Sequence, residues 1–163
     1  MPTKVAIVTG ASRGLGLALA RGLADRGWAL VVDARGENAL GEAAAELAAR
    51  TTVLAIPGDI ADAGHRRDLV AAAGRLGGLD AVVNNASLLG PSPQPLLADY
   101  PLDELRRVFE ANVVGPLGLV QEALPSLRAV RFPRNLTRLP HYADVPERPT
   151  EFSDSARLAK RRS

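Results

Sequence analysis

At 163 residues with 47% hydrophobic side chains, the chain has the length of one domain with a substantial core. It holds no cysteine and only two histidines, His65 and His141, far apart; disulfides and thiolate metal sites are excluded, no clustered metal-ligand set exists, and a reducing, cytoplasmic setting is expected. The net charge is +2, no apolar run approaches a membrane span, and the first apolar run follows Met1 too closely for a signal peptide.

Val5-Ala6-Ile7-Val8 is a short, β-branched run with the character of a buried strand. Thr9-Gly10-Ala11-Ser12-Arg13-Gly14-Leu15-Gly16 follows it and leads into Leu15, Leu19 and Leu23, which mark a helix on an Ala-rich segment. Strand, glycine-rich turn and helix are the setting a phosphate cradle requires. A helix N-terminus carries unpaired N–H groups and the positive end of the macrodipole. Glycine allows positive φ and lets the backbone approach a ligand closely. The spacing Gly-x-x-x-Gly-x-Gly differs from the Gly-x-Gly-x-x-Gly of many dinucleotide folds, but the same physics applies. A turn used only for packing would carry the same glycines.

The first helix is expected to end near Arg26-Gly27. Ala29 to Val32 reads as a second strand, Glu37 to Ala49 as a helix, and Thr52 to Ile56 as a third strand closed by Pro57-Gly58. Asp62 to Leu76 reads as a helix weakened by Gly64 and Gly74, and Ala81 to Asn84 as the fourth strand. This alternation predicts an α/β fold, a Rossmann-like doubly wound parallel sheet with strand order 3-2-1-4. Ligands in such sheets lie beyond the carboxyl ends of the strands. Gly10, Asp33-Ala34-Arg35, Asp59 and Asn84-Asn85 all fall there.

Pro91, Pro93 and Pro95 mark an extended loop. Pro101, with Asp103 and Glu104 behind it, opens a fourth helix whose apolar face is Leu102, Leu105, Val108, Phe109 and Val113. Gly115-Pro116 is expected to kink it, with Leu117, Val120, Leu124 and Leu127 continuing the stripe. Composition then changes. Residues 1–130 carry 12 basic and 14 acidic side chains, residues 131–163 carry 8 and 4, and the latter stretch has no glycine. The expected organisation is an incomplete NADP(H)-binding domain over 1–130, truncated after the fourth strand and fourth helix. A basic, Pro/Arg-rich, irregular and disordered tail over 131–163 completes it.

Residues 4 to 128 resemble the short-chain dehydrogenase/reductase family in four signatures taken in order. Thr9-Gly10-x-x-x-Gly14-x-Gly16 matches its cofactor loop, and Asp59-Ile60 the acid that contacts the adenine. Asn84-Asn85-Ala86 matches the element that stabilises the central sheet, and Asn112 the asparagine of the Asn-Ser-Tyr-Lys catalytic set. Ser87 stands where most members have glycine. The resemblance implies an oxidoreductase whose nicotinamide dinucleotide contacts Thr9, Gly10, Ser12, Arg13, Gly14, Leu15 and Gly16 of the loop. Arg35, Asp59, Ile60, Asn85 and Ala86 complete the implied contacts, and no metal is implied. Other readings of the same residues stand beside these: Asp59 as a cap of the next turn, Asn84 and Asn85 as turn formers, and Asn112 as a solvent-facing side chain.

The end of the second strand bears on cofactor choice. An acid there would pair with ribose hydroxyls, an arginine with a 2′-phosphate. By the resemblance, the acid of NAD-using members falls at Ala34. Ala34-Arg35, supported by Arg13, therefore favours NADP(H) over NAD(H), whereas a shift of one residue would bring Asp33 into that role.

The family's chemistry uses a tyrosine as proton donor or acceptor, a lysine four residues later, and a serine. Here Tyr100 is followed at that spacing by Glu104, Tyr142 by Pro146, and Lys160 is preceded by Ala156. No Tyr-x-x-x-Lys exists, and no strand is legible after Leu127. Arg131-Phe132-Pro133-Arg134-Asn135 opens a stretch without strand or helix period, as if a reading frame were lost or a gene truncated. Arg157 to Arg162 is basic, but no aromatic platform accompanies it, which argues against nucleic acid. Two readings follow: the cofactor-binding half of an NADP(H)-dependent oxidoreductase, inactive by itself, or a non-catalytic dinucleotide-binding or interaction protein. An unpaired fourth strand and an uncovered Leu/Val stripe would make the chain prone to self-association, including homo-oligomers.

Overall fold

The computed structural model describes residues 3–128 and 134–137. Five parallel strands form one sheet in the order β3-β2-β1-β4-β5. They are β1 (Val5–Val8), β2 (Ala29–Ala34), β3 (Val53–Pro57), β4 (Ala81–Asn84) and β5 (Arg134–Thr137). The helices are α1 (Gly14–Ala24), α2 (Glu37–Ala48), α3 (Ala63–Arg75), α4 (Leu102–Phe109) and α5 (Gly115–Arg128), with a π-helical turn, Glu110–Val114, between the last two.

β1 is central and wholly buried, pairing Ile7 with Val31 on one side and with Val82 on the other. Successive side chains of a strand point to opposite faces, so each strand feeds two cores. Val5, Ile7, Val31 and Val82 pack with Leu69 of α3 and with Leu119 and Leu127 of α5. Ala6, Val8, Leu30, Val32 and Val83 pack with Ala20 and Ala24 of α1 and with Leu40 and Leu47 of α2. Strands apolar on both faces belong to a parallel sheet covered by helices, the doubly wound architecture expected from the alternation.

Two expectations are corrected. The sheet does not stop at four strands: β5 pairs parallel with β4, aligning Ala81 with Arg134 and Val83 with Leu136. β4 is therefore an interior strand and not an unpaired edge, and residues 134–137 are a strand inside the stretch expected to be irregular. Backbone N–H and C=O groups make this ladder, so it needs no apolar alternation in the sequence. The rest of the expected disordered tail, 131–133 and 138–163, lies outside the described residues. The Leu15–Leu19–Leu23 row marks α1 as expected, and its buried side is Gly16, Ala20 and Ala24, while Leu15 and Leu19 are exposed. Small residues let α1 seat close to the glycine turn. The kink expected at Gly115-Pro116 also shifts: it begins a turn earlier. Pro116 has no N–H to donate back into the preceding turn, and Gly115 N–H instead donates to Glu110 O, a five-residue π bond.

Candidate functional site

The carboxyl ends of β1, β2, β3 and β4 open on a cleft of about 930 Å³. Gly10, Ser12, Arg13, Leu15 and Gly16 form one wall, Ala34 and Arg35 a second, Asp59 and Ile60 a third, and Asn85 and Ala86 a fourth. Ten residues expected at the site thus share one cavity although up to 76 positions separate them.

The glycine turn is shaped by contacts that leave no room for side chains. Gly10 has φ +65°, and a Cβ there would lie 2.8 Å from Ala86 Cα. A Cβ on Gly16 would strike the Gly10 carbonyl oxygen and come within 2.5 Å of Asn85 Nδ2. The first turn of α1 is therefore held against the end of β1, with its free N–H groups at the cleft. Such an N-terminus favours an anion.

Thr9 and Asn85 clasp this turn to β4. The Thr9 hydroxyl accepts N–H groups from Asn85 and Ala86, both at 3.0 Å, and lies 3.4 Å from the Val83 carbonyl to which it donates. Asn85 Nδ2 donates to the Thr9 and Gly10 carbonyls at 3.0 and 3.1 Å. Thr9 is wholly buried; it lies beneath the cleft and shapes it from below. Gly14, at φ +56°, continues the exposed outer part of the turn. Asn84 is buried at the end of β4.

Asp59 does two things at once. It faces the cleft, and its Oδ1 accepts from Ala61 N–H at 2.9 Å, so the turn-capping reading of this residue is realised as well. Asp62 in turn caps α3 by accepting from Gly64 N–H at 2.7 Å.

Asn112 sits within the π turn. Its Oδ1 accepts from Leu88 N–H at 2.8 Å and its Nδ2 donates to Leu88 O at 2.9 Å. This two-way clamp fixes the loop after β4 against the helix, and Leu88 itself lines the cleft. Asn112 is half-buried, so the solvent-facing reading does not hold.

The end of β2 separates its two charged residues. Asp33 is 1% exposed. Its Oδ1 accepts from Gly10 N–H at 2.7 Å and its Oδ2 lies 3.0 Å from His65 Nε2. Arg35 is exposed on the cleft wall, as is Arg13. Neither guanidinium forms a hydrogen bond or ion pair with another described residue.

Sequence reasoning missed two groups. Arg106, Arg107, Glu110 and Ala111 bring α4 and the π turn to the cleft; no motif or spacing in the sequence signals them. His65, isolated in sequence from the other histidine, is buried against Asp33. Among the described residues no group of acidic and histidine side chains is placed to hold a metal ion.

The fold is that of a Rossmann-like α/β domain, and comparison with known proteins places it. Residues 4–131 match the short chain dehydrogenase family; the chain belongs to the short-chain dehydrogenase/reductase family. It is 34% identical over 143 residues to a rhamnolipids biosynthesis 3-oxoacyl-[acyl-carrier-protein] reductase of Pseudomonas aeruginosa, covering 87% of this chain and 55% of that protein. Among solved structures it is similar to L-sorbose reductase from Gluconobacter frateurii in complex with NADPH and L-sorbose. That match has a TM-score of 0.73 and 31% identity, covering 79% of this chain and 49% of the other. NAD+-bound xylitol dehydrogenase matches at a TM-score of 0.73 and 27% identity, over 81% of this chain and 51% of that one. The chain spans about half the length of these relatives. No helix among the described residues is long and apolar enough to cross a membrane.

Proposed function

We propose that residues 4–128 are the cofactor-binding part of an NADP(H)-dependent oxidoreductase of the cytoplasm. The observation that carries this reading is the pair of guanidinium groups, Arg13 and Arg35, without a partner among the described residues, on the wall of a cleft whose strand-end carboxylate, Asp33, is committed inward. An exposed arginine offers a 2′-phosphate charge-assisted hydrogen bonds, and no carboxylate at the end of β2 is free to accept from a ribose hydroxyl pair. The site fits a dinucleotide. A side chain on Gly10 or Gly16 would collide with the floor of the turn. The N–H groups at the start of α1, with Ser12, would hold the pyrophosphate, and Asp59 and Ile60 would flank the adenine. Asn85 and Ala86 line the wall that continues toward the Leu88 loop.

When bound, such a cofactor supplies or accepts a hydride. Reduction of a carbonyl also needs a positioned proton donor, and the sequence contains no Tyr-x-x-x-Lys. Of the family's catalytic set only Asn112 is matched, and its role here is to hold Leu88 in place. Positioned acid catalysis contributes about 10²–10⁴-fold. The 163-residue chain is therefore a dinucleotide-binding protein without turnover of its own.

Isothermal titration of the purified chain tests both halves. NADP+ is expected to bind more tightly than NAD+, and Arg35→Ala to remove most of the difference. Equal affinities for the two cofactors would refute the preference. Cofactor-dependent turnover of a carbonyl or alcohol, lost in Asn112→Ala, would refute the inactivity.

A further inference from the structure

His65 lies in the first turn of α3, away from every glycine of the cofactor turn in sequence, yet it touches that turn through one intermediary. Its Nε2 is 3.0 Å from Asp33 Oδ2, and the other oxygen of the same carboxylate accepts Gly10 N–H at 2.7 Å. A carboxylate only accepts, so the imidazole donates. Both side chains are buried, 6% and 2% exposed. The Asp33 carbonyl also accepts from Ala11 N–H at 2.8 Å. Gly58, at the end of β3, gives the ring its place: any Cβ there would collide with the imidazole. Thus α3, the β3 end, the β2 end and the glycine turn are connected in a chain of contacts across the floor of the cleft.

A buried carboxylate held from one side only is free to change rotamer, and its hold on Gly10 would loosen with it. We infer that His65 is a positioning residue for the cofactor site: by fixing the Asp33 carboxylate it sets the Gly10–Ala11 turn in its dinucleotide-holding shape. This assignment rests on the dinucleotide-binding reading above. It adds to that reading a residue that does not touch the cofactor and that acts on the turn common to both cofactors. Loss of His65 therefore weakens NADP+ and NAD+ equally, whereas loss of Arg35 changes their ratio.

His65→Asn and His65→Gln test it. A glutamine amide can occupy the place of Nε2; an asparagine amide stops short of it. Expected for His65→Asn are a dissociation constant raised about ten- to a hundredfold for both cofactors, the range for one lost hydrogen bond to a charged group. Faster amide hydrogen exchange at Gly10 and Ala11 is expected in the cofactor-free protein. His65→Gln is expected to restore both. Should His65→Asn fail to fold, Asp33→Asn carries the same test, since its neutral amide is a weaker acceptor for Gly10 N–H. Unchanged affinity and unchanged exchange at Gly10 and Ala11 would overturn the assignment, as would a glutamine variant binding as weakly as asparagine. Wild-type protein that binds neither cofactor would overturn the dinucleotide reading and, with it, any role of His65 in binding. The exchange measurement still separates that failure, because it reports whether His65 holds the turn without a ligand.

Discussion

The Thr9 hydroxyl shows how much of this site rests on one oxygen atom. It receives two N–H groups from the chain after β4, and valine has the same shape without that acceptor. A buried donor left unpaired costs about 1–3 kcal/mol, so Thr9→Val, which strands two, is expected to lose about 2–6 kcal/mol in urea unfolding. Thr9→Ser keeps the oxygen and is expected to lose much less. A valine variant as stable as the wild type would mean that water or a shifted backbone pairs those amides. Asp33 illustrates the same point with a charge: its side chain looks outward in sequence, at a strand end beside Arg35, but alternation along β2 sends it to the α3 face, to His65 and Gly10.

Between elements, α1 and α2 are joined on the outer surface by side chains alone. Arg21 forms two 2.6 Å bonds to the Glu46 carboxylate, and Arg50 pairs with Asp25 at 2.8 Å. The hydrogen bond from Arg21 holds the Glu46 carboxyl below its ordinary range. A carboxyl whose pKa falls on folding stabilises the protein above its unfolded pKa of about 4.3. That contribution disappears as pH falls through the folded value. Glu46→Gln is therefore expected to melt slightly below the wild type at neutral pH, by a small margin because both side chains are partly in water. The two melting curves should converge as the pH drops below 4.3. A gap that stays constant across the acid range would show that the pair's ionisation is not what holds these helices. The α4–α5 region has a different character: its π turn places Asn112 where both polar atoms of its side chain reach Leu88. A regular helix would rotate that residue about the axis relative to Leu88.

For the whole molecule, the corrected sheet changes where association would begin. β4 is covered by β5, so among the described residues the exposed apolar surface lies on the segment before α4, with Leu89, Leu96 and Leu97, and on the helices. Leu102, Leu105, Phe109, Val113 and Leu117 are all exposed along α4, the π turn and the start of α5. Apolar side chains contiguous at helical spacing favour self-association. Sedimentation velocity is expected to show a mass that rises with concentration, and Phe109→Lys to reduce it. A monomer at every concentration, in both proteins, would exclude this face as the contact.

The α/β order, the parallel sheet, the glycine turn and the residues at the strand ends were legible in the chain itself. They depend on local rules: hydrophobic period, helix stops, and the steric freedom of glycine. The family followed from four short signatures in order, three at strand ends and the fourth, Asn112, within the fourth helical segment. Other features depended on contacts between distant segments. Arg134–Thr137 has one aliphatic residue and no alternation; only the exposed ladder of β4 makes it a strand. The buried side of α1 was decided by the closeness of Gly16 to Gly10, not by the leucines that announce the helix. His65 and Asp33 are 32 positions apart, and nothing local in either pairs them. Their meeting under the glycine turn is a consequence of β2 and α3 packing on the same face of the sheet, which no periodicity within either element encodes.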